Sequence, residues 1–330
     1  MSDTRILITG GGGFIGYHLA VRLAADPANK ITLVENFVRG NLDKDLEALC
    51  ARDNVELLTL DLLAPGVFER IGGDYDEVYH MAAVLGVENV LQRPVDVLRV
   101  NALATVSLLE WFVAGGGKKL MFPSTSEVYA WTQGFYPIPV PTPEDVPLAL
   151  TDIANPRSSY AGSKIFGELA VTHYCRTYNK PFAITRYHNV YGPRMGHEHV
   201  IPQLYKRAAI DRQSPLVVYS SEYSRAFCYV SDAVTGTISC MRHQNGVGNT
   251  FNIGNDKEEI TIGKLAARIL SIAGIESAIA PQPAANDPIV RRCPDVGKAR
   301  KLIGYEPAVT LEAGLTATIE WYSHWFKSRP

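Results

Sequence analysis

The stretch Arg5-Ile6-Leu7-Ile8-Thr9-Gly10-Gly11-Gly12-Gly13-Phe14-Ile15-Gly16 passes from a short apolar strand through a glycine turn into an amphipathic helix ending near Ala25. Strand, turn and helix in that order are the setting a dinucleotide fingerprint requires. Gly10, Gly13 and Gly16 let the backbone approach a pyrophosphate, and Phe14 and Ile15 open the helix whose free N–H groups and dipole favour an anion. A second apolar strand, Ile31 to Val34, ends in Glu35, nineteen residues beyond Gly16. A carboxylate there accepts hydrogen bonds from adenosine ribose hydroxyls and repels a 2'-phosphate, which favours NAD over NADP. Asn36 belongs to the same end of the site, and Arg39 is the one nearby feature that pulls the other way.

The alternation continues along the chain. Val55 to Leu60 reads as a third strand running into Asp61 and Leu62, a plausible adenine contact. Glu77 to His80 reads as a fourth, followed by the small Ala82 and Ala83, which permit close cofactor approach. His80 at the end of a buried strand reads as an interior histidine. A long helical pattern from Val95 to Val113 leads to the strand Lys119 to Phe122 and then to Pro123-Ser124-Thr125-Ser126-Glu127-Val128-Tyr129. Alternating strands and helices predict an α/β fold, a Rossmann-like doubly wound parallel sheet with right-handed crossovers. Ligands then bind at the carboxyl ends of the strands. Residues 1–187 are expected to form the NAD-binding part carrying the catalytic residues. Residues 188–330 would form a smaller C-terminal α/β substrate-binding region, with a soft boundary because the chain crosses back.

Composition bounds the class. The chain has 330 residues, 46% hydrophobic and 20% charged, with a formal net charge of -2, which suits a globular protein with an ample core. Near-neutral charge without a basic run argues against nucleic acid as a partner. No signal-peptide pattern leads the chain and no apolar run is expected to approach membrane-spanning length, so a cytoplasmic protein with no membrane partner is expected. Five scattered cysteines without CxxC spacing read as buried thiols, and no metal is expected.

Chemistry concentrates in Ser158-Ser159-Tyr160-Ala161-Gly162-Ser163-Lys164. On a helix, Tyr160 and Lys164 at i and i+4 share a face. A free phenol titrates near ~10, so acting as a base at neutral pH takes about 4 kcal/mol of help. An adjacent ammonium and a helix N-terminus both push that way.

Together with TGGGGFIG (Thr9 to Gly16), HMAA at His80, STSEVY at Ser124, RYHNVYGPR (Arg186 to Arg194), SRAFCYVSD (Ser224 to Asp232), FNIGN at Phe251 and RRCPD at Arg291, this pair resembles the extended short-chain dehydrogenase/reductase superfamily of NAD-dependent nucleotide-sugar epimerases, dehydratases and decarboxylases. The resemblance covers nearly the whole chain. It implies that Tyr160 removes the proton of the C4 hydroxyl, and that Lys164 lowers the tyrosine's pKa and holds the nicotinamide ribose. Thr125 would bond the reacting oxygen, with Ser126 and Glu127 beside the sugar. It places Asn101 behind the site, Ser124 against the cofactor and Tyr187 and His188 at the nicotinamide end. Val84, Asn189, Val200, Arg225 and Arg292 would contact a nucleotide-diphosphate sugar, a UDP-sugar above others. Tyr129 is implied to be structural.

Transient oxidation at C4 is the shared step, and the fate of the 4-keto sugar separates the reactions. The Thr125-Ser126-Glu127 order, Pro156-Arg157 before Tyr160 and Arg292 resemble UDP-glucuronate decarboxylases. A 4-epimerase is the next reading and a 4,6-dehydratase the third, with a non-catalytic NAD-binding regulator as a remote alternative. Ala130 in place of glycine and the segment Leu85-Gly86-Val87-Glu88-Asn89 depart from the decarboxylase pattern. Pro137 to Pro147 reads either as a lid or as a passive connection. The family also implies a homodimer built from helices near 95–113 and 158–178, and Leu103, Val106, Leu108, Leu109, Phe166 and Leu169 are equally compatible with that bundle and with core packing.

Overall fold

The computed structural model describes residues 3–38, 40–133, 135–283 and 289–328. Its first half alternates as the sequence predicts: β1 (Thr4–Thr9), α1 (Phe14–Leu23), β2 (Asn29–Glu35), α2 (Lys44–Cys50), β3 (Val55–Thr59), α3 (Val67–Ile71), β4 (Tyr75–His80), α4 (Val87–Gln92), α5 (Pro94–Trp111), β5 (Gly117–Thr125), α6 (Glu127–Gln133), α7 (Arg157–Thr177) and β6 (Phe182–Tyr187). The second half is more broken. It contains β7 (Val190–Tyr191), α8 (Val200–Tyr205), β8 (Leu216–Tyr219), β9 (Ser224–Ala226), β10 (Cys228–Tyr229), α9 (Val230–Arg242), β11 (Asn249–Ile253), β12 (Glu259–Thr261), α10 (Ile262–Ala273), β13 (Ile279–Gln282), β14 (Arg291–Arg292), α11 (Gly297–Ile303) and α12 (Leu311–Lys327).

Seven strands form one sheet in the order β11-β6-β5-β4-β1-β2-β3, every pairing parallel. Helices cover both faces, which is why Ile6, Leu7 and Ile8 are buried without alternation. One core lies between the sheet, α1, α2, α9 and α11; a second lies between the sheet, α3, α5 and α7. The strand order reverses between β1 and β4, and a crevice opens at such a switch point. The glycine turn and Ala82 flank it. A third core joins α8, α10, α12 and β8. β11 pairs in register with β6, so a strand from the C-terminal half completes the first sheet.

The segment Leu85-Gly86-Val87-Glu88-Asn89 leads into α4, which begins at Val87. The run Pro94–Gly116, 23 residues with a mean hydropathy of 1.5, is long and apolar enough to cross a membrane, contrary to the reading of the sequence. The reason is that it is apolar on two faces. Val97, Ala104, Leu108 and Leu109 pack inward, while Val95, Leu98 and Leu103 stay exposed. Of the residues compatible with a helical bundle between subunits, Leu108 and Leu109 are therefore core, whereas Leu103, Phe166 and Leu169 remain at the surface, with relative exposures of 46%, 42% and 55%.

The proline-rich segment is strapped down. Thr142 bridges Pro294, its N–H donates to the Cys293 carbonyl at 2.9 Å, and the Asp295 N–H donates back at 2.9 Å. Glu144 accepts from the Asn252 N–H at 2.8 Å, and its carbonyl accepts from Arg186 at 2.9 Å. These bonds tie Thr142 and Glu144 to the sheet and to the Cys293–Asp295 segment.

Candidate active site

The glycine turn is built for close approach. Gly10 has φ +67°, and a Cβ there would stand 2.7 Å from the Ala82 backbone. A Cβ on Gly16 would stand 2.2 Å from the Gly10 carbonyl. Only glycine lets α1 start this near β4. Gly13 caps α1 without a side chain in the way, and Phe14 and Ile15 begin its first turn. The Glu35 carboxylate accepts from the N–H groups of Gly12 (3.2 Å), Asn36 (3.1 Å) and Phe37 (3.3 Å), so the acid also shapes the turn. Asn36 accepts from the Val38 N–H, and Asp61 from that of Leu63, with Leu62 buried beside it. Arg39 lies outside the described residues.

Across the crevice, the Thr9 hydroxyl joins His80 Nδ1 (2.9 Å) and accepts from the Ala82 N–H (3.3 Å), while His80 Nε2 meets Thr105 at 3.3 Å. Burial, with the Lys164 charge nearby, pushes the His80 pKa down to about 3. It is a neutral interior histidine, as its position in the sequence indicates. Asn101 clasps Val84 with two hydrogen bonds, 2.7 and 3.0 Å, and donates to Ser163 at 3.2 Å. It braces the loop leading to Ala83 and Val84 against the catalytic helix.

Tyr160 sits half-buried in the first turn of α7, with Lys164 one turn on. The Lys164 ammonium donates to the Pro123 carbonyl at 2.8 Å and lies 4.9 Å from the Phe122 ring centroid. Burial lowers its pKa to about 8 from the ordinary 10.5, opposed by the Glu168 charge. Because the folded value is depressed, the unfolded chain binds more protons between about 8 and 10.5, and this group's contribution to stability rises with pH across that window. Urea unfolding of cofactor-free protein should show the gap between wild type and Lys164→Met shifting toward wild type as pH rises; a gap that does not change with pH would place the ammonium in water.

Ser124 Oγ, at the end of β5, is buried without a hydrogen-bond partner among the described residues. With the glycine cradle, it fits a dinucleotide lying across these strand ends. Thr125 accepts from the Glu127 N–H at 3.3 Å, and the Ser126 N–H donates to the Tyr187 carbonyl at 2.9 Å. Glu127 pairs with Arg292 from β14. Burial works to raise the Glu127 pKa, but Arg292, then Arg157 and Arg225, outweigh it and hold the carboxyl below its usual range.

The other expected residues have settled partners. The Tyr187 hydroxyl points into α9, bonded to Thr237, and burial raises its pKa to about 12. His188 Nε2 meets Asn252 Oδ1 at 3.0 Å, and burial lowers its pKa to about 3. Asn189 donates to the Ala226 carbonyl at 3.0 Å. Arg225 donates to the carbonyls of Ser224 (2.8 Å), Val290 (3.2 Å) and Ile289 (2.9 Å). Val200 starts α8.

Reading the sequence missed the buried pair behind the catalytic helix. Arg186 grips both oxygens of Glu168 at 2.9 and 2.6 Å and donates to the Tyr129 hydroxyl, which donates in turn to Asn252 at 2.9 Å. Glu168 stands four residues after Lys164 on one helical face, a spacing that could have drawn notice. The partners of that face come from distant strands.

Glycine cradle, ribose acid and Tyr-Lys helix at one switch point define an NAD-dependent enzyme of the nucleotide-sugar epimerase, dehydratase and decarboxylase class. The chain belongs to the NAD dependent epimerase/dehydratase family, whose model matches residues 6–254. It is 33% identical to UDP-glucuronic acid decarboxylase 1 of Danio rerio over 97% of this chain and 72% of the relative. It is also 33% identical to UDP-N-acetyl-alpha-D-glucosaminuronate decarboxylase of Bacillus cytotoxicus, over 96% and 97% of the two chains. Among solved structures, UDP-glucuronic acid 4-epimerase from Bacillus cereus with UDP-glucuronic acid and NAD superposes with TM-score 0.85 at 25% identity, covering 98% of this chain and 100% of that one. DesIV, a dTDP-glucose 4,6-dehydratase from Streptomyces venezuelae solved with NAD, gives 0.85 at 26%, covering 97% of each.

Proposed function

We propose that this enzyme decarboxylates a UDP-hexuronate, UDP-glucuronate first, through a transient 4-keto sugar. The observation that carries this reading is the Glu127–Arg292 pair, set beside Thr125 with Arg157 and Arg225 in its field. The Gly10–Gly16 turn, Glu35 and Ser124 would hold NAD, which would supply reversible hydride chemistry at sugar C4. Tyr160 removes the C4 hydroxyl proton, and Thr125 bonds the same oxygen. Lys164, turned toward the strand end, holds the nicotinamide ribose and supplies the charge that keeps the phenolate accessible. A carboxylate on sugar C6 competes with Glu127 for Arg292, whose guanidinium matches a carboxylate in a two-toothed grip. Once displaced, Glu127 keeps its burial and loses its main cation, so its pKa rises and it can handle the proton that C5 needs after carbon dioxide leaves.

Both curated relatives described above are named for decarboxylating a carboxylated UDP-sugar, which supports the substrate class. We read the enzyme as a cytoplasmic lyase that dimerises through the exposed apolar residues of α5 and α7, among them Leu103, Phe166 and Leu169.

Mass spectrometry of the product after incubation with UDP-glucuronate and NAD tests the reaction. Loss of carbon dioxide is expected. An unchanged mass with a new C4 isomer would make the enzyme an epimerase, and untouched UDP-glucuronate would move the search to UDP-N-acetylglucosaminuronate.

A further inference from the structure

We infer that Arg194 is a positioning residue for the NAD site, reaching from the C-terminal half to lock the glycine turn in its cofactor-binding shape. The argument starts with Gly12. Its N–H is held by Glu35 Oε2 at 3.2 Å, and its Cα is wedged between the Glu35 side chain and Leu46 of α2, so that a Cβ would meet them at 3.2 and 3.1 Å. Its carbonyl faces Arg194 Nη2 at 3.5 Å. Arg194 therefore closes the last open side of the peptide at the centre of the turn.

The guanidinium is itself tightly placed. Nη1 donates to both oxygens of Asp43 at 2.7 and 2.6 Å, and Asp45 lies 3.5 Å away. Asp43 is also the N-cap of α2, accepting from the Leu46 N–H at 3.0 Å. The cation stacks 4.1 Å from the Tyr17 ring centroid, one turn into α1. One buried side chain thus ties together the glycine turn, α1 and α2.

Its backbone holds it there from the other half of the chain. Arg194 has φ +68°, a conformation that a side chain adopts only when its surroundings impose it. Two bonds impose it: His18 Nε2 meets the Pro193 carbonyl at 2.9 Å, and the Tyr322 hydroxyl of α12 donates to the Met195 carbonyl. The loop Gly192–Met195 follows Asn189 and precedes α8, where the substrate side begins. The geometry makes the shape of the cofactor cradle depend on a residue that touches neither the dinucleotide fingerprint in sequence nor the reacting atoms.

The test is NAD binding, independent of turnover and of the sugar's identity. The full chain, freed of its own nucleotide, is titrated with NAD and separately with UDP. Arg194→Met should raise the NAD dissociation constant roughly tenfold, the scale of a lost charge-assisted bond, with UDP affinity within about twofold of wild type. Arg194→Lys should fall between, because one ammonium cannot span Asp43 and Gly12. Asp43→Asn keeps an equally good cap for α2 and removes the charge, so it serves if Arg194→Met does not fold; it should raise the NAD constant severalfold. NAD affinity unchanged in these variants, or NAD and UDP weakened alike, would overturn the proposal.

Discussion

Tyr160→Phe is expected to lower kcat by roughly 10²- to 10⁴-fold, the range for losing a positioned general base. KM for the nucleotide sugar and affinity for NAD should change little, because the ring and its place in α7 are kept. The expectation rests on helix geometry: Tyr160 occupies the first turn of a 21-residue helix, with Lys164 one turn further on the same face. The Lys164 ammonium is anchored on the Pro123 carbonyl at the end of β5, so it cannot swing away from the strand ends where the ligand lies. Single-turnover absorbance of the nicotinamide checks the assignment directly, since the first hydride transfer needs the proton removed. A Tyr160→Phe enzyme whose hydride transfer runs within a few-fold of wild type would move the base elsewhere.

Arg292→Met should have the second largest effect, cutting kcat/KM for a carboxylated UDP-sugar by roughly 10- to 100-fold, in line with about 1.5–3 kcal/mol for a hydrogen bond to a charged group. Removal of its main cation leaves Glu127 largely buried, with only the fields of Arg157 and Arg225. Burial then dominates and the carboxyl pKa rises. The limb on which activity falls as Glu127 loses its proton, the alkaline one, should therefore move to higher pH in the variant. Steady-state kinetics across pH, run beside binding of UDP-glucose, whose sugar carries no carboxylate, separate the two roles of the arginine. Equal losses for charged and uncharged sugars would show that Arg292 serves the diphosphate or the fold and does not read the carboxylate.

Much of this molecule is legible from local spacing. The strand-turn-helix at Arg5 to Gly16, the acid at Glu35 and the Tyr160–Lys164 pair are short-range patterns, and backbone geometry alone converts them into a glycine turn, an acid at the end of β2 beside it and a shared helical face. Alternation of apolar strands with helices likewise determined the doubly wound sheet. The tertiary structure decided what depends on pairing across the chain. Glu127 meets Arg292 across 165 residues, Arg194 meets Asp43 across 151, and Arg186 gathers Glu168, Tyr129 and Glu144 into one buried network. No spacing rule reaches such distances, and each of these arginines taken alone reads as an ordinary surface charge. The run Pro94–Gly116 makes the same point for packing: its mean hydropathy of 1.5 marks it as apolar on average, and only the sheet beneath it separates the face that builds the core from the face left outside. Local sequence determines which conformations and chemical groups are available, whereas long-range burial decides which charges meet and so which groups can act.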